Sequence, residues 1–441
     1  MRAATAPLGV SSPPASSARS ACRSSPSRPI PRGDPVQSST DIVVVGGGAA
    51  GLTVALELQR QGMQTMRDVI VLDAESGPGG SWRRAWDGLP MRMADDLVEP
   101  EGLSDFQLGY DRADPDEPVR DVVPRTLAYF EDASNLYIYR PARVVAVTSP
   151  RRTNRLHVEY VGPTGTRRTI ECRILIDATG HWSSPFVPWV PGMRGFPGVH
   201  VPAARLERLG DLEGRRVLVV GGGRTAVDLL RLLEGRAATV AWSTRREPEF
   251  REPEPREPSE AREGVGGAAD AVARDPGLRA FGDAQRFLAR PQEGPAPVPR
   301  AGYGHPVNRM WDGGTAGPVR LRSRRAWIMR TAEVAAAIDR GLLRSRGALQ
   351  RFDGRVASLA NGDRLELDSV VWATGSHVPL RHLAPLRLRE PLTSYRARSG
   401  WNRRDRRVAI VGEGTEVRSA DALVHALAIA DDAVDALDRL E

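Results

Sequence analysis

Apolar residues along the chain form short continuous runs, each followed by a longer stretch with helical spacing. The run Ile42–Val45 predicts a buried strand, and the spaced apolar residues of Leu52–Leu58 predict an amphipathic helix. Asp68–Leu72 predicts the next strand. Because a strand, a helix and a strand in this order form a βαβ unit, the two strands are expected to be parallel. The same order recurs in Gly214–Ser243, which predicts an α/β fold with two such units.

Alternating apolar and polar residues predict further strands. Four of them are predicted between the two βαβ units, at Leu136–Tyr139, Arg143–Val147, Leu156–Val161 and Thr169–Ile176. Together they indicate an antiparallel β-meander with a turn at Gly162–Gly165, preceded by a short helix at Pro124–Glu131. The later predicted elements are a helix at Ala326–Ala337, a hairpin of Val356–Leu359 and Arg364–Leu367, a strand at Val408–Val411 and a helix from about Ser419.

The first βαβ unit turns through glycines whose spacing is typical of nucleotide-binding folds. Gly46, Gly48 and Gly51 fit G-x-G-x-x-G, where the glycines allow a tight turn, a close approach to a pyrophosphate and close helix packing. The helix that follows offers free N–H groups to phosphate. Asp73 ends the second strand 22 residues after Gly51, where a carboxylate can accept hydrogen bonds from a ribose diol. We predict a dinucleotide site; the alternative is a structural glycine turn.

The second βαβ unit repeats the turn, which predicts two Rossmann-like dinucleotide-binding domains, but its second strand ends without an acid. Arg245 follows Gly223, the second glycine of its turn, by 22 residues, and Asp73 follows the third glycine of the first turn by the same number. An arginine at this position favours a 2′-phosphate, hence NADP(H) over NAD(H), unless it reflects only the abundance of arginine in the chain. The candidate residues of this second site are Gly221, Gly223, Thr225, Ala226, Arg245 and Arg246.

Two further segments add to the glycine turns. The first would by itself be an ordinary turn with a core tryptophan, whereas the second is far more specific than the glycine turns. The segment ESGPGGSW directly follows the ribose acid, and the buried strand ILIDATG continues as ATG-x-x-S-x-P-x-x-P-x-x-x-G. Their candidate cofactor residues are Gly80, Trp82, Ala178, Thr179 and Gly180. With the first glycine turn, these segments resemble the FAD-binding part of the class B flavin monooxygenases. That family includes flavin-containing N- and S-oxygenases, plant auxin-type enzymes and Baeyer–Villiger enzymes.

The resemblance implies a division into domains and some additional cofactor residues. The implied domains are a disordered leader at 1–39, an FAD-binding domain at 40–205 and 376–441, and an NADP-binding domain at 206–375 with a Pro/Arg/Glu-rich insertion at 247–318. Cofactor contacts are also implied for Val145 and for Thr374 and Gly375 of a second ATG segment. His181 is expected either to contact the flavin or to be a hydrogen-bonded loop histidine.

The function that the resemblance implies is an FAD- and NADPH-dependent monooxygenase. Such an enzyme would use molecular oxygen to oxygenate a small organic substrate through a flavin C4a-(hydro)peroxide, so the cofactor would carry the chemistry and the protein would exclude water. One alternative is a flavoprotein reductase or oxidase without oxygen insertion. Another alternative is a non-catalytic nucleotide-binding protein. No particular catalytic side chain, substrate or oligomeric state follows from the sequence.

One family signature is incomplete in this chain. The pattern F-x-G-x-x-x-H-x-x-x-(Y/W) begins with Phe196 and Gly198, but Pro202 stands at the histidine position and Leu206 at the aromatic position. His200 is present two residues out of register. The incomplete signature therefore weakens the expectation of oxygenation but not the expectation that the chain binds two dinucleotides.

Composition narrows the partners and the compartment. The net charge of +7 comes from a chain whose 62 basic residues are all arginine, but these are interspersed with acids, so no nucleic-acid partner is predicted. The two cysteines, Cys22 and Cys172, form no C-x-x-C, and the seven histidines have no metal-ligand spacing. The sequence has no apolar run of the ~20 residues that would span a bilayer, and its first 39 residues lack the apolar core of a secretory signal. We therefore expect a cytoplasmic protein without metal or membrane partners.

Overall fold

The computed structural model describes residues 38–94, 97–151, 153–252, 327–388, 397–398, 400–402, 404–411 and 419–439. The expected leader up to residue 37 and the expected insertion from residue 253 onwards, with a helix predicted near Asp283–Ala289, lie outside the described residues. Within the described residues, no helix combines the length and the apolar character needed to cross a bilayer.

The first sheet has nine strands and is built around β1. Its strands are β1 (Ser39–Val45), β2 (Val69–Leu72), β3 (Ile138–Tyr139), β4 (Arg143–Thr148), β5 (Leu156–Val161), β6 (Arg167–Asp177), β16 (Ala397–Arg398), β17 (Trp401–Asn402) and β18 (Val408–Ile410). The main order is β16-β17-β18-β6-β1-β2-β3. Val45 aligns with Leu72 of β2 and with Asp177 of β6, so three parallel strands end at one edge. Helix α1 (Ala49–Arg60) begins at that edge.

The meander contains three strands, whereas the sequence predicted four. Strands β4, β5 and β6 pair antiparallel as expected, but β3 pairs parallel with β2. The helix before β3, α2 (Val119–Ala133), is longer than predicted, and Pro124 lies inside it. A helix of this length carries the chain back across the sheet, so the strand that follows it lies parallel to β2.

The second sheet is parallel and has four strands, in the order β7-β15-β8-β9. They are β7 (Val199–Pro202), β8 (Arg216–Val220), β9 (Thr239–Ser243) and β15 (Ser369–Trp372), and helix α3 (Arg224–Leu233) connects β8 to β9. Since β7 pairs with β15, the second sheet already begins at residue 199. The domain division expected at 205/206 therefore falls after the first strand of this sheet.

Smaller elements complete the described residues. They are β10 (Glu249–Arg251), β11 (Trp327–Met329), β12 (Leu349–Asp353), β13 (Val356–Leu359), β14 (Arg364–Glu366), α4 (Ala332–Asp339) and α5 (Ser419–Asp438). The predicted hairpin is present as β13 and β14. The helix predicted at Ala326–Ala337 is wrong in its first part, because Trp327–Met329 pairs with β10 as a strand. The helix begins only after Thr331, whose hydroxyl accepts a hydrogen bond from Val334 N at 3.4 Å and caps it.

The two chain segments that pass between the sheets lie side by side. The first follows β6 and the second follows β15. Phe186 N donates to Gly375 O and His377 N donates to Ser184 O, both at 2.9 Å, in an antiparallel arrangement. We call these two segments, 184–186 and 375–377, the crossover pair.

Candidate functional site

The first glycine turn is held against the end of β6. Gly46 has φ of 110°, and a Cβ on it would lie 2.4 Å from the carbonyl oxygen of Ala178. A Cβ on Gly51 would lie 1.9 Å from Gly46 O. Only glycine fits at these two positions, because the carbonyl of Ala178 fills the space beside Gly46 and the carbonyl of Gly46 fills the space beside Gly51.

The opposite side of the turn is open and lined by backbone. Gly48 is the N-cap residue of α1, and the nearest atom that its Cβ would meet is Gly80 Cα at 3.8 Å. Gly80 has φ of 52°, and its own Cβ would lie 3.0 Å from Gly48 Cα. The two glycines thus face each other without side chains at a helix N-terminus. We call this space the first cradle; its free N–H groups suit a pyrophosphate.

Asp73 lies beside the first cradle in a buried ion network that the sequence did not predict. Its Oδ2 accepts from Arg140 Nε at 2.7 Å, and both side chains are 8% exposed. Arg140 also donates to both carboxylate oxygens of Glu131, at 2.6 and 2.8 Å, and to Gly47 O at 3.0 Å. Asp73 Oδ1 receives only a long contact of 3.4 Å from Glu75 N, so one carboxylate oxygen remains for a ribose hydroxyl.

Burial and ion pairing have opposite effects on the pKa values of Glu131 and Arg140 in this network. Burial raises the pKa of Glu131, and its hydrogen bond to Arg140 only partly offsets that effect. Burial acts to lower the pKa of Arg140, but its hydrogen bonds and charge interactions with Glu131 and Asp73 raise it overall. The cation is therefore retained between the two carboxylates, and it fixes the orientation of Asp73.

The other predicted residues of the first site lie on three separate elements. Trp82 is half-buried in the 3₁₀ helix Gly80–Arg84. Val145 is half-buried in β4, at a β-bulge where the pairing with β5 shifts register. Gly180 has φ of 64° with open space around its Cα, and His181 after it is exposed.

Thr179 is fixed by the buried Asp177, whose contact with His382 the sequence did not predict. Its N–H and hydroxyl both donate to Asp177 Oδ1, at 3.0 and 2.6 Å. The other oxygen of Asp177, which is fully buried, lies 2.6 Å from His382 Nε2. His382 Nδ1 lies 3.2 Å from the Pro379 carbonyl. The first ATG segment is thus tied to the chain that returns from the second sheet.

The second glycine turn repeats the first in detail. Gly221 has φ of 146°, and its Cβ would lie 2.0 Å from the carbonyl oxygen of Ala373 in the second ATG segment. Gly223 is the N-cap residue of α3, and a Cβ on it would meet no atom within 4 Å. Ala226 is fully buried in α3, and Thr225 before it is half-buried. We call the open space at Gly223 the second cradle.

Two of the predicted cofactor residues in the second ATG segment belong to the joint between the sheets. Thr374 Oγ1 donates to Phe186 O, and the carbonyl of Gly375, whose φ is 83°, accepts from Phe186 N. Their described contacts therefore hold the crossover pair together.

Thr244 occupies after β9 the position that Asp73 occupies after β2, and two cations follow it directly. Arg245 and Arg246 are exposed. Thr244 before them is buried, and its hydroxyl lies 2.6 Å from that of Ser345. Exposed guanidinium groups at this place suit a phosphate, whose oxygens accept bidentate hydrogen bonds.

His200 occupies a structural position. Its Nδ1 accepts from Trp372 Nε1 at 3.3 Å, its Nε2 lies 3.3 Å from Met193 O, and its ring lies 4.9 Å from that of Phe196. Pro202 aligns with Trp372 at the end of the second sheet, beside the second glycine turn. The position of the family histidine therefore lies near the second cradle, and proline has no side-chain donor to offer there.

Sequence comparison relates the chain to known proteins. A family model described as pyridine nucleotide-disulphide oxidoreductase matches residues 43–260. A Baeyer-Villiger monooxygenase of Streptomyces coelicolor is 29% identical over 205 residues, which cover 44% of this chain and 36% of that protein. Flavin-containing monooxygenase FMO GS-OX2 of Arabidopsis thaliana is 25% identical over 219 residues, which cover 44% of this chain and 47% of that protein. The match thus spans less than half of either relative.

Structural comparison agrees with the sequence. The flavin-containing monooxygenase from Stenotrophomonas maltophilia superposes with a TM-score of 0.60 and 24% identity, covering 92% of this chain and 98% of that one. Bacillithiol disulfide reductase from Bacillus cereus superposes with a TM-score of 0.54 and 15% identity, covering 90% and 99%. The fold and the two glycine turns define a flavoprotein oxidoreductase class with two dinucleotide-binding folds. Within that class, the proteins that the chain resembles include Baeyer-Villiger and flavin-containing monooxygenases, and these similarities support a relationship to the class B flavin monooxygenases.

Proposed function

We propose that the protein is an FAD- and NADPH-dependent monooxygenase acting on a small organic substrate. The overall reaction is substrate, O₂, NADPH and H⁺ giving the monooxygenated substrate, water and NADP⁺. The observation that carries this proposal is the pair of matched cradles. Each one lies where neighbouring parallel strands end, and each is backed by the alanine of an ATG segment. One has a carboxylate at its ribose end and the other has arginines.

The residues of the first cradle fit FAD. Gly48 and Gly80 leave space for the pyrophosphate, and Asp73 Oδ1 can accept a hydrogen bond from a ribose hydroxyl. Bound FAD would supply the two-electron transfer and the oxygen activation, which are reactions that side chains do not perform. The chain's own contribution is to bind the cofactor, orient it and exclude water.

The residues of the second cradle fit NADPH. The open space at Gly223 suits a pyrophosphate at the N-terminus of α3, and Arg245 and Arg246 suit the 2′-phosphate. An acid at this position would instead favour NADH. The preference for NADPH therefore depends on the two arginines.

Pro202 supports a second candidate function, a flavoprotein oxidase that releases hydrogen peroxide. The family histidine is replaced, and His200 is engaged with Met193 and Trp372 and so does not substitute for it. With one hydrogen-bond donor fewer to position a nicotinamide at the second cradle, the site would close less well against water, which favours release of hydrogen peroxide.

Anaerobic titration of the FAD-loaded protein with NADPH, followed by air, tests these proposals. A monooxygenase is bleached by NADPH, and with a suitable thioether or ketone it yields product and little peroxide. An oxidase is also bleached, but it yields one peroxide per NADPH with every compound. A flavin that NADPH does not bleach, or a protein that binds no flavin, would support the third reading, a nucleotide-binding protein without this chemistry.

A further inference from the structure

A cavity of about 200 Å³ lies outside both cradles. It is lined by Arg83, Arg84, Ala85, Arg120 and Glu207. Three of these five residues are arginines from two different elements, the 3₁₀ helix Gly80–Arg84 and the first turn of α2. We call it the arginine cavity.

The arginine cavity lies where the two nucleotide folds meet. Its 3₁₀ helix begins at Gly80, the residue that faces Gly48 across the first cradle. Glu207, on the other wall, lies five residues after Pro202, the position of the missing family histidine. Trp86 Nε1 donates to Ala203 O at 3.0 Å and holds the two walls together. Small-molecule sites occur preferentially at such junctions between domains.

The charges around the arginine cavity are only partly compensated. Arg84 pairs with Glu75 outside the lining. Arg83 donates to a backbone carbonyl at 2.9 Å and to a serine hydroxyl at 3.3 Å, so its hydrogen bonds are to neutral acceptors. Arg120 has no ion pair or hydrogen bond within the described part of the chain. Glu207 is the one acid among the lining residues, so guanidinium charge is in excess.

We infer that the arginine cavity binds a carboxylate of the substrate, with Arg83 and Arg120 as the residues that recognise it. This inference rests on the proposed function, since it names the class of substrate, a small organic acid. A guanidinium group presents paired donors in the geometry that a carboxylate accepts. The pyrophosphate of a dinucleotide already has a place at the helix N-terminus of each cradle, so the excess charge here is assigned to another anion.

Binding of matched acids and amides tests the inference. The probes are (methylthio)acetate and phenylacetate, each compared with its neutral amide, and the readout is the change in flavin absorbance of the FAD-loaded protein without NADPH. We expect each acid to bind at least about tenfold more tightly than its amide, because a charge-assisted hydrogen bond contributes this much. We expect Arg120→Gln to abolish the difference while amide binding is unchanged.

Arg92→Gln is the matched control, because Arg92 precedes α2 and forms an exposed ion pair with Asp116. It should retain the full preference for acids. The inference is overturned if the acids have no advantage in the wild-type protein, or if Arg83→Gln and Arg120→Gln both leave that advantage intact. It is also overturned if Arg120→Gln weakens FAD or NADPH binding instead, since the cavity would then hold a dinucleotide phosphate. Loss of NADPH bleaching with a retained preference for acids would contradict only the proposed function.

Discussion

Replacing Arg140 by methionine removes the cation that lies between two buried carboxylates. Asp73 and Arg140 are each 8% exposed and Glu131 is 12% exposed, so little water can reach the network. Removing one partner of a buried ion pair costs about 3–5 kcal/mol, because the remaining charge stays desolvated. Here two carboxylates would lose their partner at once, so we expect the upper end of that range. Since whole domains are stable by about 5–15 kcal/mol, the variant should be close to unfolding.

Urea denaturation with and without FAD measures this effect. Arg140→Met should also bind FAD at least about tenfold more weakly, because Asp73 loses the contact that orients it. The pKa of Glu131, already raised by burial, should rise further in the variant, so its deficit in stability should be larger at pH 8 than at pH 5. Arg60→Met, which breaks an exposed pair with Asp105, should cost less than about 1 kcal/mol. A cost for Arg140→Met equal to this control, with unchanged FAD affinity, would refute the reasoning.

Three further predictions concern other parts of the molecule. Gly46→Ala should prevent stable folding or FAD retention, because its Cβ would lie 2.4 Å from a carbonyl oxygen. Gly223→Ala should fold with an unchanged urea midpoint and bind NADPH more weakly, because its Cβ would meet no atom within 4 Å. Equal urea midpoints for the two variants would contradict this prediction. Arg245→Gln should raise the KM for NADPH at least about tenfold and leave that for NADH unchanged, as steady-state kinetics can show; a parallel change in both would argue against a 2′-phosphate contact. Burial raises the pKa of Cys172 to about 12, so in a Cys22→Ser background the thiol should react with Ellman's reagent at pH 8 only when urea unfolds the protein; rapid labelling of the native protein would contradict its burial.

Local sequence patterns predicted the parts of the fold that depend on neighbouring residues. The glycine turns, the strands beside them and the hairpin at Asn361–Gly362 follow from spacing and turn chemistry, and all appear within the described residues. The prediction for β3 was wrong, because β3 pairs with β2 and is not part of the antiparallel meander. Alternation predicts that a segment is a strand, but the partner of that strand depends on the length of the helix before it.

The buried contacts of Asp73 and Asp177 at the first site are made by residues that are distant in sequence. Arg140 is 67 residues from Asp73, and His382 is 205 residues from Asp177. A buried arginine in a chain with so many arginines has no local signal, because its role depends on which carboxylates the fold brings to it. The same holds for His200, whose surroundings depend on the pairing of β7 with β15.

The crossover pair marks the two points where the second nucleotide fold is inserted into the chain of the first nucleotide fold. The chain enters the inserted fold at 184–186 and leaves it at 375–377, and two backbone hydrogen bonds, Phe186 N to Gly375 O and His377 N to Ser184 O, join these adjacent segments. Domain insertions with neighbouring ends disturb their host little. We expect that replacing the second nucleotide fold by a related one at these two points, with a partner retained for Trp86, changes which nicotinamide cofactor is used. The flavin half of the molecule should stay intact. We therefore expect the preference for a nicotinamide cofactor to be transferred together with the inserted fold.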